Sequence, residues 1–235
     1  MKILTIIALA SCLLFSCDIH DDWKCEGNCN TGYGVKKWRD GGYEKGYWRN
    51  GSLYGKGEEF FGATSSFAGD KYVGNFDNGY SGYGVYYGKK LDFIHKGNWK
   101  NGKSDGYSEG TFGPNADKPG WSYKGNWENG KKSGYGELYM GTVGSHAGIK
   151  YFGNWLNDKM DGLGTYAWPD SSKYIGHFSN DLFDGKARFT FSDGMIYMGI
   201  WHEGYNADFL NVLKQHSQKA KDRDSILLKY FYSKE

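Results

Sequence analysis

Seven times along this chain a glycine is followed, two residues on, by a tryptophan or phenylalanine: Gly46/Trp48, Gly74/Phe76, Gly97/Trp99, Gly125/Trp127, Gly153/Trp155, Gly176/Phe178 and Gly199/Trp201. The glycines are separated by 28, 23, 28, 28, 23 and 23 residues. Two spacings recurring over seven copies define a tandem array. An array constrains the fold more than any local motif does, because one unit cannot bury its apolar face alone and must stack on its neighbours. Five copies carry a tyrosine two residues ahead of the glycine, at Tyr72, Tyr123, Tyr151, Tyr174 and Tyr197; Glu44 and His95 hold that place in the other two.

The residues after each aromatic make a turn. Asn50-Gly51, Asn78-Gly79, Asn101-Gly102 and Asn129-Gly130 follow it at a fixed offset, and Asn157-Asp158 and Asn180-Asp181 take the same place later. Asn-Gly is the strongest two-residue hairpin signal, since a type I′ turn needs positive φ at both central residues. Tyr-x-Gly-x-Trp is therefore one strand with its three named residues on one face. The returning strand carries Gly55-x-Gly57, Gly82-x-Gly84, Gly134-x-Gly136 or Gly162-x-Gly164; Ser108 and Ala187 replace the second glycine in two copies. Glycine leaves room for a ring to lie on, and the ring covers a backbone that glycine alone holds poorly in a strand. With 20 Tyr, 14 Phe and 9 Trp against little Leu, Ile or Val in the middle of the chain, the core is one of aromatic rings, Trp48, Phe76, Trp99, Trp127, Trp155, Phe178 and Trp201 above all.

The unit resembles the MORN repeat, approximately Tyr-x-Gly-x-Trp-x-x-Gly-x-x-x-Gly-x-Gly. The run from Tyr123 through Gly125, Trp127, Gly130 and Gly134 to Gly136 matches every fixed place, and the run from Tyr151 to Gly164 matches all but Asp158. The resemblance covers residues 32–205, opened by a partial copy at Gly32-Tyr33-Gly34. It implies an all-β fold, an elongated twisted stack of antiparallel β-hairpins. It also implies an interaction role, since such arrays serve as scaffolds and have been linked with phospholipid binding.

The ends differ from the array. Met1-Lys2 and the apolar run 3–15 have the dimensions of a signal peptide and are too short to span a bilayer. The stretch Leu14-Phe15-Ser16-Cys17 resembles the lipobox of a bacterial lipoprotein, which implies cleavage after residue 16 and acylation of Cys17. Phe15 departs from the small residue usual there; Leu9-Ala10-Ser11-Cys12 fits better by letters but leaves a very short apolar run. Residues 17–31 lack periodicity and read as a tether. Cys25 and Cys29 are left as a pair able to close a small loop in an oxidising envelope. Residues 206–235 read as a helix, with apolar stripes at Phe209, Leu210, Val212 and Leu213 and at Ile226, Leu227, Tyr230 and Phe231, suited to covering the last hairpin.

The chemistry points away from an enzyme. No Gly-x-Ser-x-Gly elbow, P-loop, His-Glu-x-x-His or paired-Cys zinc pattern occurs, so no cofactor or metal is expected. Glu58 and Glu59 are adjacent and face opposite sides of a strand, so they form no carboxylate pair by themselves, and pairs assembled across repeats stay open. Net charge is +2 with both signs interspersed, without the basic stripe nucleic acid requires. Three insertions, at residues 62–70, 113–120 and 141–148, are rich in Gly, Ser, Asp or Pro and project from one side, often the binding side of a repeat array. The expected function is that of a lipid-anchored scaffold of the bacterial envelope, at the outer rather than the inner membrane, holding a protein partner. The alternative is a module for phospholipid or glycan, in which lysines such as Lys96 and Lys124 would meet the headgroups.

Overall fold

The computed structural model describes residues 23–220. Fifteen strands follow one another in chain order: β1 (Trp23–Gly27), β2 (Gly32–Trp38), β3 (Tyr43–Arg49), β4 (Ser52–Phe60), β5 (Lys71–Asp77), β6 (Tyr80–Gly88), β7 (Phe93–Lys100), β8 (Lys103–Phe112), β9 (Trp121–Glu128), β10 (Lys131–Met140), β11 (Lys150–Leu156), β12 (Lys159–Ala167), β13 (Lys173–Ser179), β14 (Leu182–Thr190) and β15 (Ile196–Trp201). Each pairs antiparallel with its neighbours in sequence, in one open sheet. One helix, α1 (Ala207–Ala220), follows. The segment read as a signal peptide, Cys17, and the second apolar stripe at Ile226 to Phe231 lie outside the described residues.

The hairpin turns have the conformation their residues dictate. Asn50, Asn101 and Asn129 sit at φ 49°, 51° and 50°, and the glycines after them at 75°, 74° and 81°. Asp158 and Asp181 hold φ 72° in the glycine place, where a side chain is strained. Each offsets that cost with a bond to the preceding hairpin: Asp158 Oδ1 accepts from Lys132 N at 3.0 Å, and Asp181 Oδ1 from Met160 N at 2.8 Å. The same turn residues donate their own N–H to the carbonyls of Lys132 and Met160. Successive hairpins are thus tied at the turns as well as along the ladder.

The two glycines of Gly-x-Gly serve different ends. The first, as at Gly134 (φ 69°), is the left-handed residue of a bulge that shifts the register between Lys132 and Gly136. The second lies under a ring. A Cβ on Gly136 would stand 2.1 Å from the hydroxyl of Tyr123, and one on Gly84 the same distance from that of Tyr72.

One face of the sheet is buried by this arrangement. Along β9, Tyr123, Gly125 and Trp127 are buried while Lys124, Asn126 and Glu128 face water. Across each turn the aromatic faces a second core position, filled in successive copies by Leu53, Tyr80, Ser104, Lys132, Met160 and Phe183. At the C-terminal end Asn206 caps α1, its Oδ1 accepting from Phe209 N at 2.8 Å. The helix buries Phe209 and Leu213 completely, with Phe209 against Phe189, Phe191 and Trp201.

At the other end the sheet starts earlier than the repeat pattern suggests. Part of the segment read as a tether forms β1, in register Trp23↔Trp38 to Gly27↔Gly34. Nothing in its side chains marks it as a strand, since all five residues are exposed. Backbone pairing, a Lys37–Glu26 ion pair at 2.7 Å and a disulfide between Cys25 and Cys29 hold it.

Candidate functional site

The aromatic residues singled out in the sequence form one ladder of rings. Four of the five tyrosines that precede a repeat glycine stand edge-on between the aromatic of their own copy and that of the next. Tyr72 meets Phe76 and Trp99, Tyr123 meets Trp127 and Trp155, Tyr151 meets Trp155 and Phe178, and Tyr174 meets Phe178 and Trp201, at centroid distances of 5.0–5.5 Å. Such pairs contribute about 0.5–1.5 kcal/mol each beyond area burial. The tyrosine hydroxyls donate to a carbonyl three residues on, from Tyr151 to Asn154 O at 2.8 Å and from Tyr174 to His177 O at 2.8 Å. Trp48, Trp99 and Trp155 donate their indole N–H to the carbonyl of the second glycine of the preceding copy, Gly34, Gly84 and Gly136. Where Ser108 or Ala187 replaces that glycine, the indole N–H of Trp127 or Trp201 is buried without an acceptor.

His95 is the joint of the ladder. The core divides into a cluster from Trp48 to Trp99 and another from Tyr123 to Leu213. The His95 ring bridges them, 5.1 Å from Trp99 and 5.0 Å from Trp127. It fills the tyrosine place with a shorter ring, and the room released holds the Ser108 side chain. Ser108 Oγ reaches Asn98 O at 3.5 Å, the carbonyl a tyrosine hydroxyl would take, and accepts from Ser104 Oγ at 3.1 Å. With its proton given to Ser108, Ser104 Oγ accepts from His95 Nε2–H at 2.9 Å. Nδ1 is then the unprotonated nitrogen, buried without a partner. Burial pushes the imidazole pKa down to about 4.

Near the first copy the register assembles a carboxylate pair. Glu44, in a tyrosine place, lies directly opposite Glu59 across β3 and β4. Burial pushes Glu59 up to about 7, the charge of Glu44 adds to this, and the hydroxyl of Tyr80, donating at 2.9 Å, opposes it. Burial also raises Glu44, opposed by Lys36. Glu58 faces the other way, bonded by Tyr43 and paired with Lys71 at 2.9 Å. A neutral Glu59 stabilises the fold fully below the ordinary carboxylate range and progressively less as pH rises through about 7. Neutral His95 does the reverse, its contribution present above its ordinary pKa and lost as pH falls toward 4. Each amounts to on the order of 2 kcal/mol between about pH 5 and 8, with opposite signs. The urea midpoint of the native chain is therefore expected to change little over that range. Glu59→Gln should expose the histidine slope, with the midpoint rising from pH 5 to about 6.5 and level above that. A flat profile in the variant would contradict the burial of either charge.

The opposite face of the sheet is solvated and carries a second regular row. The residue between the two glycine places points outward: Tyr33, Tyr83, Tyr107, Tyr135 and Leu163 are 47–59% exposed, and the exposed lysines Lys56 and Lys186 hold the place in the other two hairpins. Asn75, Asn98 and Asn126 donate their side-chain N–H to the carbonyls of Tyr83, Tyr107 and Tyr135, which fixes the backbone beneath the exposed rings. Two strand spacings set these side chains roughly 10 Å apart along the sheet. The row has a signal in the sequence, the middle letter of Gly-x-Gly, which is tyrosine in four copies. Lys96 and Lys124 lie on the same face, but both pair with Glu109, at 2.8 and 3.9 Å. Among the described residues no three His, Cys, Asp or Glu side chains stand together as a metal site, and no helix is long and apolar enough to cross a membrane.

Five stretches of the chain, residues 72–92, 95–107, 123–142, 151–173 and 174–196, match the MORN repeat family. The chain thus carries MORN repeats, and the hairpin of Trp48, which has Glu44 in the tyrosine place, repeats the same architecture outside those stretches. A solved structure similar to this chain is the TCP domain of SAS-4 (dCPAP) of Drosophila melanogaster in complex with a proline-rich motif of Ana2 (dSTIL). The likeness has a TM-score of 0.44 and 12% identity over 80% of this chain and 97% of that one. No curated protein matches.

Proposed function

We propose that this MORN-repeat chain is a non-catalytic interaction module, anchored in a bacterial envelope membrane through an acylated Cys17, that holds a protein partner on the solvated face of its sheet. The row of exposed rings at Tyr33, Tyr83, Tyr107 and Tyr135, continued by Leu163, supports this. Rings need no exposure to hold a hairpin together, whereas tyrosine on a rigid surface offers large contact area at low entropic cost, as interfaces use it. A partner protein is favoured over a phospholipid surface because the central residue of this row is an uncharged tyrosine or leucine in five copies and a lysine in two, Lys56 and Lys186, while Lys96 and Lys124 share the one carboxylate of Glu109.

Vesicle flotation and crosslinking separate the two. Unlipidated Cys17→Ser protein is expected to stay with the aqueous fraction when mixed with envelope lipid vesicles. A photo-reactive residue at position 107 or 135 should give one discrete protein adduct in cells, whereas one at the exposed turn residue Lys90 should not. Saturable flotation that disappears when Lys96 and Lys124 are neutralised would instead establish lipid as the ligand. Native chain in the membrane fraction with Cys17→Ser in the soluble fraction is expected; retention of the variant in membranes would refute the anchor.

A further inference from the structure

The buried face contains one residue that the packing of the array does not account for. The core position across the turn is filled by Leu53, Tyr80, Met160 and Phe183 and, beside His95, by Ser104; in the hairpin of β9 and β10 it is Lys132. The residue is 7% exposed. Its Nζ lies 4.8 Å from the ring centroid of Trp155 and 5.2 Å from that of Tyr123. Among the described residues Nζ has no hydrogen-bond or ion-pair partner. A buried ammonium without a partner costs stability, and the methionine at the sister position shows that an apolar side chain fits there.

Lys132 lines a cavity of about 300 Å³ between the hairpins β7/β8, β9/β10 and β11/β12. The other walls are mainly apolar: Trp121, Trp127, Trp155, Leu138, Met140 and Met160. Two of the three insertions border it, since Phe112 and Trp121 flank residues 113–120 and Met140 precedes residues 141–148. Lys131 and Lys159 also line it, against Asp158 and Asp181, so cations outnumber anions. Both aspartates are turned to backbone N–H groups of Lys132 and Met160. Burial lowers the pKa of Lys132, with the aspartates opposing and Lys118 adding.

We propose that this cavity binds a monocarboxylate with a flat apolar body, its carboxylate accepting from the Lys132 ammonium and its ring lying among Trp121, Trp127 and Trp155. The volume suits a single ring with a short acidic arm and is far too small for a two-chain phospholipid. The bound carboxylate supplies the partner that Lys132 lacks, and a charge-assisted bond among these apolar walls is stronger than one in open water. The same chemistry is presented by a free aromatic acid and by the C-terminal aromatic residue of a peptide.

The test is titration of the full chain, followed by NMR of the tryptophan indole N–H signals, with 4-phenylbutyrate, its neutral amide, and a short peptide ending in phenylalanine with a free or amidated terminus. Saturable binding of the acid, about tenfold or more tighter than the amide, is expected. Lys132→Met should raise the urea midpoint, erase that preference and leave amide binding intact, which separates loss of the charge from loss of the fold. Binding by the small acid assigns the site to a free metabolite-sized ligand; binding by the peptide alone, and only with its terminus free, assigns it to a partner's C-terminus. Equal affinity for acid and amide, an unchanged preference in Lys132→Met, or no saturable binding of acid or peptide would overturn the proposal.

Discussion

Gly136→Ala is expected to destabilise the array by about 3 kcal/mol or more, seen as a large fall in the urea midpoint or loss of cooperative folding. The added Cβ would stand 2.1 Å from the hydroxyl of Tyr123 and 2.5 Å from its Cζ. A flexible side chain could move aside. Tyr123 cannot, because its ring is held edge-on between Trp127 and Trp155 at 5.3 Å each and its hydroxyl is bonded to Asn126 O at 3.2 Å. Any shift of Tyr123 is paid for in both neighbouring copies, since each tyrosine serves two. Gly134→Ala supplies the control two residues away. Its Cβ meets nothing closer than 3.5 Å, so only the left-handed φ of 69° is penalised, by about 1–2 kcal/mol. Gly134→Asn should cost less still, because asparagine visits that region readily. If the two alanine variants prove equally stable, the second glycine is not there for the ring, and the packing account of the repeat is wrong.

Much of this was legible in the sequence for a physical reason: a repeat samples the same environment many times, so its requirements appear as letters. The turn at Asn129-Gly130, the shared face of Tyr123, Gly125 and Trp127, and the ring ladder follow from spacing alone. What lay hidden falls where register or single-copy departures decide. Glu44 and Glu59 are fifteen residues apart and meet only because β3 and β4 pair in that register. Lys132 reads in sequence as one of two adjacent lysines in a polar turn, and its burial follows only from its place opposite Trp127. Tyr33, Tyr83, Tyr107 and Tyr135 stand at a regular place, but tyrosine is also a core residue of this chain, so its identity does not separate the outward row from the buried one. β1 was illegible because backbone pairing and a disulfide hold it, without a buried side chain.

The His95 copy offers a second large effect, because its departures from the repeat belong together. In the standard copies the tyrosine hydroxyl fills the space where a Cβ on the second glycine would be: 2.1 Å away at Gly84 and Gly136, 2.6 Å at Gly164. His95→Tyr alone would drive that hydroxyl into Ser108 and is expected to destabilise by about 1–3 kcal/mol. Ser108→Gly alone leaves a gap beneath the histidine and removes the acceptor for Ser104, at a cost of about 1–2 kcal/mol. Together they rebuild the standard copy, with a tyrosine hydroxyl free to reach Asn98 O and a glycine carbonyl placed for the indole N–H of Trp127. The pair should therefore recover most of the two losses, a coupling of about 2–3 kcal/mol between residues in contact, and stop short of native stability because the buried Ser104 hydroxyl keeps neither of its partners. The double variant should also lose the His95 half of the native pH balance and show the Glu59 slope alone, its stability rising as pH falls from about 7 toward 5. Purely additive losses would mean that Ser108 does not occupy the space a tyrosine would need. A double variant with a profile as flat as the native one would mean that a group other than His95 takes up the proton. Restoration instead establishes the rule that links the two faces of the unit: ring length on one strand sets which residue the next strand can carry, and the carbonyl of that residue sets whether the following tryptophan is satisfied.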